Sequence, residues 1–161
     1  MRKFEKISFK QFNKDICNDI KLYKEFNMPS RATNLSAGYD FYSLKDFTLK
    51  PGQIIKIPTG IKVMMENDEY LLLCVRSSQG FKYNIRLCNQ IGIIDKDYYN
   101  NPENEGHIWI ALQNEGNDNY TVKKGEAIVQ GIFMKYFLIE DDRLELSNNN
   151  VKVDYSHLLD K

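Results

Sequence analysis

The sequence predicts an all-β domain, either a sandwich or a barrel, with one amphipathic helix near its N-terminus. After Pro29, short apolar runs recur along the chain, and clusters of Gly, Pro, Asn and Asp separate them. Many short strands at near-regular spacing are typical of sandwiches and barrels. The chain also lacks the alternation of strands with helices that a parallel α/β fold requires, and it contains no internal repeat.

Length and composition restrict the class of protein. The 161 residues fit one domain, and Lys plus Arg equals Asp plus Glu at 22 each, so no overall charge favours nucleic acid or an anionic membrane. The three cysteines have no C-x-x-C spacing, which argues against a disulfide framework and a zinc site. We therefore expect a reducing, cytoplasmic location. The sequence predicts neither a signal peptide nor a membrane span.

The first element is a predicted helix over residues 8–26. Ser8 can serve as its N-cap, and Pro29 follows its end. Its apolar residues recur at helical spacing: Phe9, Phe12, Ile16, Ile20 and Tyr23. This pattern predicts one amphipathic helix lying on the outside of the main body.

Eight strands are predicted after this helix, each bounded by turn-forming residues. They cover residues 38–43, 54–57, 60–65, 70–75, 85–88, 91–94, 107–112 and 127–139. We expect the domain to span residues 1–139. Residues 140–161 are acidic and rich in Asn, and we expect them to form an appendage with a short helical turn at 155–159.

The chemistry is expected in segment 89–99. An apolar run broken only by Gly92 ends there in Asp95, Asp97 and two tyrosines. A glycine inside a strand is typical of a bulge or of a close approach between backbone and ligand. Asp95 at the strand end can be held rigidly beside a cleft. The alternative is a strand that enters a polar turn, with both aspartates as ordinary turn carboxylates.

Three further polar segments stand out. Segment 36–43 contains Asp40 among aromatic residues, and a turn aspartate is the simpler interpretation. In segment 76–80 a guanidinium, two hydroxyls and a glycine follow an apolar strand, which suits phosphate oxygens but is also compatible with an ordinary β-turn. Segment 125–131 places Gln130 at the far end of a strand and indicates little by itself.

In order and spacing, these four segments resemble the motifs of the trimeric dUTPase family. Segment 36–43 is similar to the first motif, A-G-x-D, and segment 75–80 to the second, R-S-S/G. Segment 89–99 resembles the third, G-x-I-D-x-D-Y. Segment 125–130 resembles the fourth, G-D-R-x-x-Q, although Glu126 and Ala127 replace its Asp and Arg. The resemblance covers about residues 31–137.

This resemblance implies a distorted jelly-roll β-barrel or sandwich that forms a homotrimer, in which the third motif faces the other motifs of a neighbour. The implied reaction is hydrolysis of dUTP to dUMP and pyrophosphate with Mg²⁺. Asp95 would take a proton from the attacking water and direct it at the α-phosphorus. Asp40 would hold Mg²⁺ through water. The residues that would contact phosphates or fix the phosphate loop are Arg76, Ser77, Ser78 and Gln130.

The resemblance also assigns base and sugar recognition. Asn89, with the backbone around Gly92 and Ile94, would read the edge of uracil. Cytosine presents a donor where uracil presents an acceptor, so a fixed pattern of hydrogen bonds would reject it. Tyr98 would pack on deoxyribose and leave no room for a 2′-hydroxyl.

Two departures from the family pattern stand out. Residues 100–105 form an insert after the third motif, which we expect to be a longer hairpin lip. The glycine-rich fifth motif has no counterpart, since residues 139–161 contain no glycine. A tail of this kind offers few of the φ > 0 positions that cradle phosphates, so weak activity is expected.

Two alternatives to an active dUTPase remain. One is a protein of the same fold that binds nucleotide, or regulates a partner, with little or no turnover. The other is the related dCTP deaminase, which would require a glutamate acid/base in the strand after the third motif; Glu105 is misplaced for that role.

Overall fold

The computed structural model describes residues 1–142. Within them the backbone forms short strands, three short α-helices and one 3₁₀ helix at Lys96–Tyr98. The strands are β1 (Lys3–Lys6), β2 (Tyr39–Tyr42), β3 (Phe47–Leu49), β4 (Ile54–Pro58), β5 (Ile61–Met64), β6 (Glu69–Cys74), β7 (Ile85–Leu87), β8 (Gly92–Ile94), β9 (Trp109–Asn114), β10 (Tyr120–Val122) and β11 (Ala127–Lys135). The α-helices are α1 (Phe9–Asp15), α2 (Ile20–Glu25) and α3 (Ser77–Tyr83).

The strands pair antiparallel throughout and are arranged in four sheets. Two sheets have two strands each, β1–β5 and β3–β10. The larger sheets follow the orders β4–β9–β7 and β2–β11–β6–β8. The predicted all-β, jelly-roll-like sandwich is confirmed, and the strands of residues 1–142 do not close into a barrel.

The core lies between the sheets, and β6 shows how the sequence alternation produces it. Leu71 and Leu73 are at most 2 % exposed and pack into the core, whereas the intervening residues are half-buried on the opposite face. This is the period of two expected of a strand with one buried face.

The opposite face of the β2–β11–β6–β8 sheet is also apolar. The register aligns Leu72 with Ile93 on one side and with Ile132 on the other, so these side chains share that face. Ile93 is 55 % exposed and Met134 is 40 % exposed. Exposed apolar surface on a sheet face is typical of an interaction surface.

The prediction of one helix over residues 8–26 is wrong. The segment forms α1 and α2, separated where Ile16 ends the first helix and Asp19 caps the second by accepting a hydrogen bond from the Leu22 backbone at 3.0 Å. Aspartate favours an N-cap over a helix interior, which explains the break. The predicted cap at Ser8 is confirmed, since its Oγ accepts from the Gln11 backbone at 3.1 Å. Phe12 is fully buried, so the segment contributes to the core.

Several elements were not predicted. β1 alternates charged and apolar residues, and β3 and β10 have three residues each, too few to produce a clear pattern. The helix α3 lies where a turn was expected. The segment 127–139 is a strand only as far as Lys135.

No α-helix within residues 1–142 is long and apolar enough to cross a membrane. Of the expected tail, only residues 140–142 are described, so the helical turn at 155–159 lies outside the described residues. The domain boundary at residue 139 stays a prediction.

Candidate functional site

Three of the candidate residues meet where β2, β6 and β11 lie side by side. The strand register places Gln130 opposite both Asp40 and Cys74. Nε of Arg76, two residues beyond Cys74, lies 3.1 Å from Oδ1 of Asp40. Gln130 donates from Nε2 to the carbonyl of Val75 at 3.2 Å. The first, second and fourth motifs are therefore brought together.

Gly38 makes this arrangement possible. A Cβ atom at residue 38 would lie 2.2 Å from Oε1 of Gln130. The absence of a side chain at Gly38 lets the Gln130 amide lie across the start of β2 and reach the strand that leads to Arg76.

Gln79 is a site residue that the sequence interpretation missed. It is 2 % exposed, and its Oε1 accepts a hydrogen bond from the Arg76 backbone at 2.8 Å. Its Nε2 donates to the Tyr120 hydroxyl at 3.1 Å and to the Ile128 carbonyl at 2.9 Å. Gln79 thus fixes the turn from β6 into α3, with Ser77 and Ser78 exposed on that helix. A glutamine at the third position of a helix can accept from the backbone of the residue that precedes the helix, and Gln79 was the available signal of this kind.

The third motif begins in a tight turn between β7 and β8, which belong to different sheets. Leu87 and Gln90 form an isolated bridge across this turn, and Gln90 has φ of 66°. Beside the turn lies a groove of about 410 Å³, and three candidate residues line it: Asn89, Gly92 and Ile94. A Cβ at Gly92 would approach Cβ of Leu73 to 3.1 Å, so this glycine allows β8 to pack closely on β6.

Asp95 follows β8 directly and begins the 3₁₀ helix that carries Asp97 and Tyr98. Within residues 1–142 its carboxylate makes no hydrogen bond or ion pair. Partial burial, followed by the charge of Asp97, raises the pKa of Asp95. A raised pKa favours a carboxylate that accepts a proton during a reaction.

Tyr98 is the last residue of the 3₁₀ helix, and a loop leads from it to β9. We call residues 99–106 of this loop the lip. The hydroxyl of Tyr98 donates to the carbonyl of His107 at 3.0 Å and accepts from Nδ2 of Asn104 at 2.8 Å. Residues 100–105, expected to form a longer hairpin lip, form turns of this loop without strand pairing, and the Asn104 side chain within them donates to the Tyr98 hydroxyl.

A single chain does not bring Asp95 to the cluster of Asp40, Arg76 and Gln130. Ile94, which precedes Asp95, pairs with Leu71, and the chain then needs five more residues to reach Arg76. At ~3.3 Å per residue, this separates the two groups by roughly 17 Å along β6.

Comparisons with known proteins agree with the motifs and with the fold. The family model described as dUTPase matches residues 24–153, most of the chain. A deoxyuridine 5′-triphosphate nucleotidohydrolase of Lactococcus lactis is 43% identical over 116 residues, which are 72% of this chain and 77% of that protein. The chain belongs to the dUTPase family.

Solved dUTPase structures also resemble this chain. The crystal structure of dUTPase from Streptococcus mutans has a TM-score of 0.67 at 35% identity, over 85% of this chain and 98% of that one. The phage phi11 dUTPase of S. aureus, described with a coordinated structural Mg(II) ion, has a TM-score of 0.64 at 17% identity over 93% of this chain and 98% of that one, and it shows the fold alone.

Asp40 of this dUTPase-family chain suits a metal ion held through water. In the part of the chain that the structure describes, no group of three or more His, Cys, Asp and Glu side chains is placed to hold a metal ion. The cluster of Asp40, Arg76 and Gln130 contributes one carboxylate, that of Asp40. Because Mg²⁺ keeps several waters and takes its remaining ligands from phosphates, one nearby carboxylate is sufficient.

Substitution of Gly38 tests the close approach of Gln130. In Gly38→Ala the new methyl group displaces the Gln130 amide from the Val75 carbonyl, and we expect a loss of about 1 kcal/mol in the free energy of unfolding. Thermal and urea unfolding measure this change in the free energy of unfolding.

The matched control is Gly80→Ala, because Gly80 lies inside α3 and the nearest atom to an added Cβ is 3.9 Å away. This variant should be unchanged or more stable by about 0.5–1 kcal/mol. Equal losses in the two variants would contradict the close approach.

Proposed function

We propose that this protein hydrolyses dUTP to dUMP and pyrophosphate in a site that two chains share. The observation that carries the proposal is the placement of Asp95, with its raised pKa, directly after the strand that lines the groove with Asn89. Membership of the dUTPase family and the names of its relatives support the substrate.

Recognition of uracil is assigned to the turn before β8 and to β8 itself. β8 is an edge strand of its sheet and lines the groove, so its backbone groups that do not pair with β6 are available to a ligand there. Backbone donors and acceptors have fixed positions, so they can match the acceptor–donor–acceptor edge of uracil. Cytosine presents a donor where uracil presents an acceptor, so some of these buried backbone groups would stay unpaired with cytosine. The Asn89 amide adds a side-chain contact, and Tyr98 packs on the deoxyribose.

Binding of the triphosphate is assigned to the turn from β6 into α3. Arg76 supplies charge for phosphate oxygens, and its pair with Asp40 orients the guanidinium. Ser77 and Ser78 are exposed and can donate hydroxyl protons. Gln130 holds the strand that leads into this turn. Asp40 would hold Mg²⁺ through water, and the ion would supply positive charge for the phosphates of the leaving group.

The proton transfer is assigned to Asp95. Its carboxylate accepts a proton from the water that attacks the α-phosphorus, while the phosphate contacts keep the substrate in line. Since Asp95 is roughly 17 Å from Arg76 along β6 of its own chain, the Arg76 that serves it comes from another copy. The exposed apolar face of the β2–β11–β6–β8 sheet supports association into the homotrimer of the family.

Deamination of dCTP receives no support from the position of Glu105. Its carboxylate accepts hydrogen bonds from the backbone and the hydroxyl of Ser8, and it lies 3.7 Å from Nζ of Lys62. Glu105 therefore stabilises the lip instead of facing the groove.

The central test is Asp95→Asn, which preserves size and removes the base. With dUTP and Mg²⁺ we expect turnover to fall by about two orders of magnitude or more, measured as released pyrophosphate and dUMP. Binding of a non-hydrolysable dUTP analogue should persist. With dCTP, the wild-type protein should release neither pyrophosphate nor ammonia at a comparable rate. Turnover at the wild-type level in the variant would refute the role of Asp95.

A second test asks whether two chains build each site. Asp95→Asn chains retain Arg76, and Arg76→Ala chains retain Asp95, so each variant alone should be inactive. Random co-assembly in equal amounts makes about one quarter of shared sites intact, and activity should recover to about that fraction. Light scattering should report a trimer.

The control for this mixing pairs Asp95→Asn with Asn89→Ala. Both substitutions lie in the third motif, and each shared site takes its whole third motif from one chain. Every site in this mixture therefore has a damaged third motif, and activity should not return. Recovery in neither mixture, from assembled trimers, would mean that each site belongs to a single chain.

A third test uses the cause of the raised pKa. The base form of Asp95 is lost as pH falls through its pKa, so kcat/KM declines on the acid side. Asp97→Asn removes the neighbouring negative charge that raises this pKa, and the acid limb should move to lower pH. Asp118→Asn, in a distant turn, is the control and should leave the profile unchanged. An unmoved limb in Asp97→Asn would show that another group controls the acid side.

A further inference from the structure

The N-terminal segment holds the lip and the residue that follows it. The carboxylate of Glu105, inside the lip, accepts hydrogen bonds from the backbone of Ser8 at 2.9 Å and from its hydroxyl. Oδ2 of Asp15, at the end of α1, lies 2.6 Å from Nδ1 of His107. Two carboxylate contacts thus join the start of the chain to the loop that follows the third motif.

The backbone of Gly60 determines the protonation of His107. Its N–H donates to Nε2 of the fully buried His107 at 2.9 Å, so Nε2 carries no proton and Nδ1 donates to Asp15. Burial lowers the pKa of His107 although Asp15 opposes the effect, which keeps the ring neutral. Asp15 therefore accepts a hydrogen bond of fixed direction.

His107 in turn holds Tyr98. The Tyr98 hydroxyl donates to the His107 carbonyl, and Asn104 donates to the same hydroxyl. Both partners belong to the lip or follow it directly, so the phenol ring is oriented by a segment that Ser8 and Asp15 anchor.

The lip is internally braced, which allows an anchor at one point to affect all of it. Nδ2 of Asn101 donates to the Tyr98 carbonyl and to Oδ1 of Asn104, while its Oδ1 accepts from the Asn104 backbone. Gly106 has φ of 83°, and a Cβ there would lie 2.5 Å from the Tyr98 carbonyl oxygen. The end of the lip therefore lies directly against Tyr98, the residue that precedes the lip.

We propose that Asp15 and Glu105 are positioning residues for Tyr98 and that, through it, they determine how strongly deoxyribose is preferred over ribose. The inference rests on the proposed function, in which Tyr98 packs on the sugar. Neither residue touches substrate. Each acts by keeping the lip, and with it the phenol ring, where a 2′-hydroxyl would collide.

The physical reason is the small size of the group to be rejected. A hydroxyl adds about one heavy atom, so a ring that shifts by roughly 1 Å can admit it while still packing on the sugar. A loose lip should therefore affect UTP more than dUTP. General damage to the fold should instead lower the activity on both nucleotides alike.

The kinetic experiment compares kcat/KM for dUTP and UTP in the full-length protein. In Asp15→Ala/Glu105→Ala we expect the dUTP/UTP ratio to fall tenfold or more, while kcat with saturating dUTP changes less than about threefold. Asp15→Asn keeps an acceptor for Nδ1–H of His107, so it should retain most of the ratio that Asp15→Ala loses.

Two further variants separate positioning from stability. Asp19→Ala removes the cap of α2 in the same segment without contacting the lip, and it should lower the melting temperature without changing the ratio. The Tyr98→Phe variant lacks the hydroxyl that bonds to His107. In this variant, adding Asp15→Ala should lower the dUTP/UTP ratio of kcat/KM little further. Equal loss of the ratio in Asp19→Ala, or full additivity with Tyr98→Phe, would overturn the inference.

Amide hydrogen exchange in the ligand-free protein tests the anchor without any turnover. In Asp15→Ala/Glu105→Ala, exchange in residues 98–107 should accelerate at least tenfold, with β6 and β11 unchanged. A wild-type protein that does not hydrolyse dUTP would refute the proposed function, and exchange would then still decide whether the anchor holds Tyr98. Unchanged exchange in residues 98–107 would overturn the inference in either case.

Discussion

The register of β6 against its two neighbours is the constraint on which the candidate site depends. Gln130 pairs near one end of β6 and Ile94 near the other, so the antiparallel ladder itself separates the Arg76 turn from Asp95. A strand is stiff, and a one-residue slip would turn its core residues outward. The distance therefore cannot be closed by a small rearrangement within one chain, and the proposed chemistry requires a second copy of the chain.

The sequence predicted what depends on long apolar runs and on compact motifs. The predicted runs that became β6, β9 and β11 were long enough to identify, and the four motif segments contained Asp40, Arg76, Gln130 and Asp95. The sandwich class followed from the same runs, since their turns left no room for crossover helices. These features succeed because local pattern and tertiary burial agree there.

The failures occur where tertiary contacts outweigh local pattern. The sequence of β1 has the pattern of a charged, amphipathic segment, and no strand was predicted there. Arg2, which precedes β1, donates two hydrogen bonds of 2.6 Å to Glu69, which is 3 % exposed. The break at Asp19 followed from a capping preference that the apolar spacing concealed. Gln79 was read as part of a turn because its burial depends on Tyr120 and Ile128, both distant in sequence. The contacts of Arg2 and Gln79 span more than forty residues, so no window of ten residues contains them.

The closing residue of the lip restricts how this loop can diverge. Pro102 and Glu103 are exposed residues of the lip, so insertions and deletions at these two positions should be absorbed locally. Gly106 has no such freedom, because its positive φ and its contact with the Tyr98 carbonyl exclude every side chain. Among related chains, the length of the lip should therefore vary, whereas its last residue should remain a glycine. In a loop graft, Gly106 is the natural splice point.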